Sequence, residues 1–188
     1  MYALPDEDID VLRKDLEMIL SLDVEHISTY SLIIEDHTKL SINGIKNISE
    51  DLDSEMYDVI CNEMKKSGYS HYEISNFCIE GYDSRHNLCY WNNNHYYGFG
   101  LGASGYIDNR RYSNTRSLNE YIDGMVIVEE DYLTDDEVME YEVILNLRKK
   151  EGISLNNFYS KFEVNLSDVF DYSYLVNNNL IDNFWSMT

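Results

Sequence analysis

The chain has one proline, Pro5, in 188 residues. No internal repeat or low-complexity segment appears either, so repeat and linker architectures are set aside. Cysteine is scarce: Cys61, Cys78 and Cys89 form an odd set without close spacing. That excludes the even-numbered disulfide framework of a short secreted chain. It also excludes the pair of nearby thiols with which a zinc or iron–sulfur site usually starts. All three read as reduced thiols, Cys89 included, although it stands among the residues of the candidate ligand segment. Basic residues number 14 against 35 acidic ones, a formal charge of -21. Such a field repels a nucleic-acid backbone or an anionic membrane, and its plainest meaning is a solvated acidic surface. No apolar run approaches the roughly 20 residues that span a bilayer. Met1-Tyr2-Ala3-Leu4-Pro5 runs straight into acids, with no basic start and no signal-peptide core, so a cytoplasmic location is expected.

What is present is a globular composition, 44% hydrophobic with 17 tyrosines. From Asp6 to about Leu22, Ile9, Leu12, Leu16, Ile19 and Leu20 recur at helical spacing behind an acidic first turn. His26 to Ile34 is β-branched and aromatic, as expected of a strand buried along most of its length. A second helix is predicted from Asp51 to Ser67, with Leu52, Met56, Val59, Ile60 and Met64 as its stripe and Gly68 ending it. Tyr69 to Ile74 reads as another strand. This order predicts two parallel β/α units over residues 1–80, too few to close a barrel.

Residues 81–130 form a polar, aromatic connector with a short helix near Leu118 to Asp123. In residues 131–188, Thr134-Asp135-Asp136-Glu137 is a capping box opening a helix whose stripe is Val138, Tyr141, Ile144, Leu145 and Arg148. Two shorter periodic segments follow, the second from Leu166 to Val176, and then a strand from Leu180 to Trp185. Three helices and a strand outline a truncated winged helix. Lys161 is the only basic residue from Leu155 onward, so this shape reads as a packing module and no nucleic acid is expected as partner.

Gly100-Leu101-Gly102-Ala103-Ser104-Gly105 matches the dinucleotide fingerprint, but a hairpin-like sequence turning at Asp108-Asn109 follows where a helix should. These glycines are better read as allowing close backbone approach to a ligand or a neighbouring strand. His86 lies near Tyr90, Trp91, Tyr96 and Tyr97 in what reads as a loop, Gly81 to Tyr97. An imidazole in that setting is a candidate haem-iron ligand, with Tyr90 and Trp91 offering apolar faces to a macrocycle and polar tips to its propionates. Ligand binding and simple packing both remain open for this segment.

Several motifs together resemble one family, the HemW-like relatives of oxygen-independent coproporphyrinogen III oxidase. Met1 to Pro5 is similar to the Y-G-L-P turn after a late barrel strand of radical S-adenosylmethionine enzymes. His26 to Leu32 is similar to the next strand, whose backbone lies beside that cofactor. Glu73-Ile74-Ser75-Asn76-Phe77 and Gly98 to Gly105 resemble HemW-like sequences, and His86-Asn87-Leu88-Cys89-Tyr90-Trp91 fits their H-N-x-x-Y-W motif. The resemblance implies an α/β fold: part of a radical-SAM barrel, then an α-rich, truncated winged-helix-like domain. It implies haem or porphyrin as ligand, with His86, Asn87, Tyr90 and Trp91 as binding residues and His86 on the iron. Tyr30 and Ser31 would lie at S-adenosylmethionine.

A [4Fe-4S] cluster and S-adenosylmethionine are implied for the full-length protein only, because the family's C-x-x-x-C-x-x-C motif is not in this chain. The chain therefore reads as a fragment whose first partner is its own N-terminal barrel half. Leu101 and Ser104 depart from the family's G-x-G-A-G-A-H-G, where a small residue and a histidine stand. Three functions stay open: haem binding and transfer to an unknown acceptor, oxidative decarboxylation of coproporphyrinogen III, or a structural, partner-binding module. Nothing in the sequence indicates membrane contact.

Overall fold

The computed structural model describes residues 1–181. The chain divides into two compact units, one of Met1–Ser84 and one beginning at Arg85. In the first, α1 (Ile9–Leu20) starts at Asp8, whose carboxylate accepts from the Val11 backbone N–H at 2.8 Å. Next come β1 (His26–Ser28), α2 (Lys39–Ile42), α3 (Glu50–Lys66), β2 (Ser70–Glu73) and β3 (Asn76–Cys78). The helical stripes expected of α1 and α3 form the core: Leu12, Leu16, Met56, Ile60 and Met64 pack with Ile27 and Phe77. Gly68, at φ 85°, ends α3 in the left-handed region.

The sheet corrects the expectation of simple parallel neighbours. Its order is β1-β3-β2, and β3 runs antiparallel to both others. Glu73-Ile74-Ser75-Asn76 turns the chain back after β2, so a third short strand lies between the two foreseen. β1 and β2 still share a direction. A parallel β/α connection does exist: Tyr2 bridges Ser31 in parallel across α1, donating to the Tyr30 carbonyl and accepting from Leu32 N–H, both at 2.9 Å. The strand expected from His26 to Ile34 is regular only to Ser28. Beyond it the backbone pairs only at isolated points, Thr29 N–H with the Ser75 carbonyl at 2.7 Å and Tyr30 and Leu32 with Tyr2, and Ile33 is 72% exposed, since apolar composition makes a strand only where a ladder is available.

Cys78 is buried, and burial, reinforced by the Asp83 carboxylate that its thiol contacts at 3.3 Å, pushes its pKa from 9.0 to about 11. An unfolded chain releases this proton near pH 9 while the fold retains it, so stability falls as pH rises across that window. Below pH 9 the thermal midpoints of wild type and Cys78→Ala are expected to run parallel. Between pH 9 and 11 the wild type should fall more steeply than the variant. Identical slopes there would contradict the assignment.

The second unit contains α4 (Arg85–Trp91), β4 (Ser104–Ile107), β5 (Arg110–Asn114), α5 (Leu118–Ile122), β6 (Ile127–Tyr132), α6 (Asp135–Asn146), α7 (Leu155–Phe162), α8 (Leu166–Val169) and α9 (Ser173–Asn177). The hairpin at Asp108-Asn109 forms as expected, both residues having positive φ. β6 adds antiparallel to β5; all its positions are exposed, so no alternation announced it. Gly105 lies on β4 opposite Tyr112, and a Cβ there would collide with the Tyr112 ring. This glycine thus makes room for a cross-strand ring, while the close backbone approach expected of the cluster is found at Gly98, where a Cβ would strike the Ser104 carbonyl. Gly105→Ala is expected to cost about 1–3 kcal/mol in chemical denaturation; an unchanged midpoint would show that the ring moves freely aside.

The capping box at Thr134 and Glu137 is complete. The face of α6 that it introduces differs from the expected stripe: Val138, Met139, Glu142 and Asn146 are buried, whereas Tyr141 and Ile144 are exposed. Met139 packs with Ile153, Phe158 and Leu166. The segment Leu166 to Val176 is not one helix, because Phe170 is extended, at φ -130° and ψ 127°, and separates α8 from α9. Of the expected strand Leu180–Trp185, Leu180 and Ile181 form a bend and the rest lies outside the described residues. Among the described residues no helix is long and apolar enough to cross a membrane.

Candidate functional site

The H-N-x-x-Y-W motif, expected in a loop, is helical: it makes up most of α4. The helix ends in a Schellman arrangement. Asn93, at φ 50°, donates its backbone N–H to Tyr90 O, and Asn94 donates to Cys89 O. Helical geometry places His86 and Tyr90 one turn apart on one face. The His86 Nε2 and Tyr90 hydroxyl are 3.0 Å apart, with the rings edge-to-face. Tyr90 in turn meets Tyr96 edge-to-face, at 4.5 Å between centroids. His86 is exposed, while Asn87, Tyr90 and Trp91 are half-buried.

Trp91 points elsewhere around the helix. The Arg148 guanidinium covers one indole face at 4.3 Å, and the buried indole Nε1 has no hydrogen-bond partner. Beside it Arg111, on β5, is sandwiched between the rings of Tyr106 and Tyr141 at 4.4 and 3.9 Å. Its Nη2 donates to Asn93 Oδ1 at 3.2 Å, while its Nε is buried and unpartnered. Burial raises the pKa of the Tyr96 and Tyr106 hydroxyls, against the pull of the Arg111 cation. Tyr90, Trp91, Asn93, Asn94, Tyr96, Arg111 and Leu145 enclose a recess of about 220 Å³.

The Asn93 side chain continues inward, donating to Glu142 Oε2 at 3.2 Å. Glu142, only 8% exposed, also accepts from Lys161 Nζ at 2.6 Å and Asn146 Nδ2 at 3.3 Å. Arg111, Asn93 and Glu142 were not singled out from sequence. The one available signal was a glutamate and an asparagine four residues apart on a helix face beside Met139.

Tyr30 and Ser31 belong to the other unit. The Tyr30 ring is half-exposed, and the Ser31 hydroxyl donates to Asp53 Oδ2 at 2.9 Å, leaving the buried Asp53 Oδ1 unpartnered. Next to them, burial followed by the Asp53 charge pushes Tyr2 up to about 12. Glu73 and Asn76 are buried and hydrogen-bonded to one another, with Ser28 donating to Asn76 Oδ1 at 2.5 Å. Three of the four other histidines have local partners: His26 meets the Tyr72 hydroxyl at 2.8 Å, His71 stacks on Phe77, and His95 sits edge-on to Tyr106, while His37 lies exposed in a turn.

Among the described residues no three His, Cys, Asp or Glu side chains converge on a possible metal position. Cys61, Cys78 and Cys89 therefore do not fit a cluster as a set. Ligation of haem iron through its porphyrin needs only one axial side chain, and the exposed imidazole of His86 fits that requirement.

No family model matches the chain. It is 36% identical over 192 residues to the heme chaperone HemW of Lactococcus lactis, a match covering 97% of this chain and 51% of that protein. It is 38% identical over 181 residues to the heme chaperone HemW of Bacillus subtilis, covering 90% and 47%. Among solved structures, coproporphyrinogen III oxidase (HemN) from Escherichia coli, a radical SAM enzyme, matches with a TM-score of 0.75 at 15% identity, over 95% of this chain and 46% of that one. That likeness shows the α/β fold expected from the resemblance. The chain spans about half the length of the curated relatives it matches. With relatives of one description matched along nearly its whole length and a radical-SAM fold beneath them, the chain belongs to the HemW-like family.

Proposed function

We propose that this chain is the part of a haem chaperone that holds haem for transfer, with His86 as the axial ligand and Tyr90 orienting it. The observation that carries this reading is the His86–Tyr90 contact of 3.0 Å on an exposed helix face. A ligating imidazole characteristically gives its second ring nitrogen to a neighbouring acceptor, which fixes the tautomer and the ring plane. In the haem-bound state this reading requires the tautomer in which Nε2–H donates to the Tyr90 hydroxyl and Nδ1 keeps its lone pair for iron. Exposure suits a cargo site, since a ligand meant to be passed on must be reachable by an acceptor. The names of the L. lactis and B. subtilis relatives support haem as the cargo.

The complete protein would add the [4Fe-4S] cluster and S-adenosylmethionine, the latter beside Tyr30 and Ser31, in an N-terminal barrel half that is this chain's first partner. Radical chemistry would belong to that half, with the cysteines that hold the cluster. Cytoplasmic location and delivery to a protein acceptor complete the reading.

Haem titration of the chain, followed at the Soret band, tests it. A saturable shift at one equivalent is expected, and a spectrum no different from free haem would overturn it. Tyr90→Phe removes the orienting acceptor and is expected to weaken binding by about 10- to 100-fold. Unchanged affinity in that variant would deny Tyr90 its role.

A further inference from the structure

The recess at the end of α4 has an electrostatic character unlike the rest of the chain. In a protein of 35 acidic and 14 basic residues, none of the seven residues lining it is acidic, and the one charged lining residue is Arg111. Among the described residues no carboxylate approaches that guanidinium within ion-pair distance, although Asp131 is its cross-strand partner. The cation is instead held flat between Tyr106 and Tyr141, which fixes the plane of its donors.

Two buried N–H donors without acceptors belong to residues lining the same recess: Arg111 Nε and Trp91 Nε1. Buried donors are nearly always paired, and an orphaned pair around one small cavity marks a missing acceptor. Water satisfies such groups in many proteins, but it does not neutralise a cation. A carboxylate does both, because its two oxygens accept from two donors while its charge answers the guanidinium. A second cavity that Arg111 also lines includes Glu129 and Asp131, whose charge repels an anion, so the absence of carboxylates is what sets the recess apart.

The geometry points to a carboxylate-binding recess in which Arg111 and the Trp91 indole N–H are the donors. On the haem reading, on which this extension to the porphyrin rests, the carboxylate is a propionate. Tyr90 links the two places, since its hydroxyl meets His86 and its ring lines the recess. Trp91 follows His86 by five residues, about 7.5 Å along the helix axis. A ligand with a metal at its centre and a carboxylate at its periphery reaches over such a distance. Trp91 thus acts through its polar edge, its face being taken by Arg148.

The test uses the 188-residue chain labelled with nitrogen-15. Of its two tryptophan indole resonances, that of Trp91 is assigned by its loss in Trp91→Phe. Sodium propionate is expected to shift this resonance saturably, with no comparable effect from sodium chloride at equal ionic strength. Arg111→Gln should abolish the shift, and Arg111→Lys, which keeps charge and much of the packing, should weaken it about tenfold. A shift absent in wild type, or equal in chloride, means a water-filled cavity and overturns the proposal.

A second arm compares haem with its dimethyl ester. Trp91→Phe should weaken haem binding several-fold and the binding of the ester, whose neutral carbonyls accept more weakly, by clearly less. Equal loss for both ligands overturns the propionate assignment. A propionate-induced shift without any haem binding would uphold the carboxylate site while removing the haem reading, so the two fail separately.

Discussion

Replacing His86 by alanine is expected to remove the perturbed Soret band and to lower haem affinity roughly a hundredfold or more. The figure follows from partners of a metal-bound histidine, whose loss alone costs 10- to 100-fold, so loss of the ligand itself must cost at least as much. His86 lies on the exposed side of α4, where its ring contacts Tyr90, so its removal should leave folding nearly intact. That separates a binding defect from a folding defect, and the thermal midpoint should stay within about one or two degrees of wild type. His95 is the control: it also lies near the aromatic cluster but contacts Tyr106 and Asp108. His95→Ala should bind haem as wild type does. If His86→Ala retains the shifted band and its affinity, the axial assignment is wrong.

The largest effect on stability is expected at Glu142. Its carboxylate gathers Asn93 from the end of α4, Asn146 from its own helix and Lys161 from α7. Truncation to alanine leaves Lys161 without its counter-ion and Asn93 without its acceptor inside a nearly closed site. Breaking a buried pair from one side costs about 3–5 kcal/mol; because Lys161 is 37% exposed, the lower end, about 3 kcal/mol, is expected here. Denaturant unfolding measures it directly. Glu142→Leu combined with Lys161→Met should recover much of the loss, because paired apolar substitution removes both desolvation penalties. Equal destabilisation by the single and the double variant would mean that the shape of Glu142, and not its charge, is what the unit requires. The Arg111–Asn93 contact depends on the same junction, so Glu142→Ala should also broaden the Trp91 indole resonance.

Much of the first unit was legible because its helices obey simple periodicity. Leu12 and Leu16, or Met56, Ile60 and Met64, are spaced as a buried helical face must be, and nothing competes with that signal. The sheet was less legible. Asn76–Cys78 is three residues long, and the turn before it is made by a buried glutamate and asparagine pairing with each other, which no hydrophobic pattern reports. In the second unit the Asp108-Asn109 turn was readable from local chemistry, since both positions tolerate positive φ. β6 was not, because a strand exposed at every position carries no alternation.

The site divides in the same way. His86, Tyr90 and Trp91 were visible as a motif, but a stretch without aliphatic periodicity reads as loop even when it is helical. Only the helix reveals that His86 and Tyr90 face each other while Trp91 turns toward Arg148. Arg111 and Asn93 escaped notice because their importance comes from tertiary contact: a guanidinium between two rings, and an amide joining it to a glutamate 49 residues further on. The buried face of α6 was misplaced for a related reason, since Glu142 and Asn146 are polar residues in positions that a hydrophobic stripe would assign elsewhere.

Electron paramagnetic resonance of the ferric-haem complex tests the central claim most directly, by reading which nitrogen binds the iron. In protein labelled with nitrogen-15 at histidine, wild type and His95→Ala are predicted to show the hyperfine signature of one axial imidazole. His86→Ala is predicted to lose it and to regain an axial-imidazole signal on addition of free imidazole. The labelled hyperfine coupling persisting in His86→Ala without added imidazole would contradict the account.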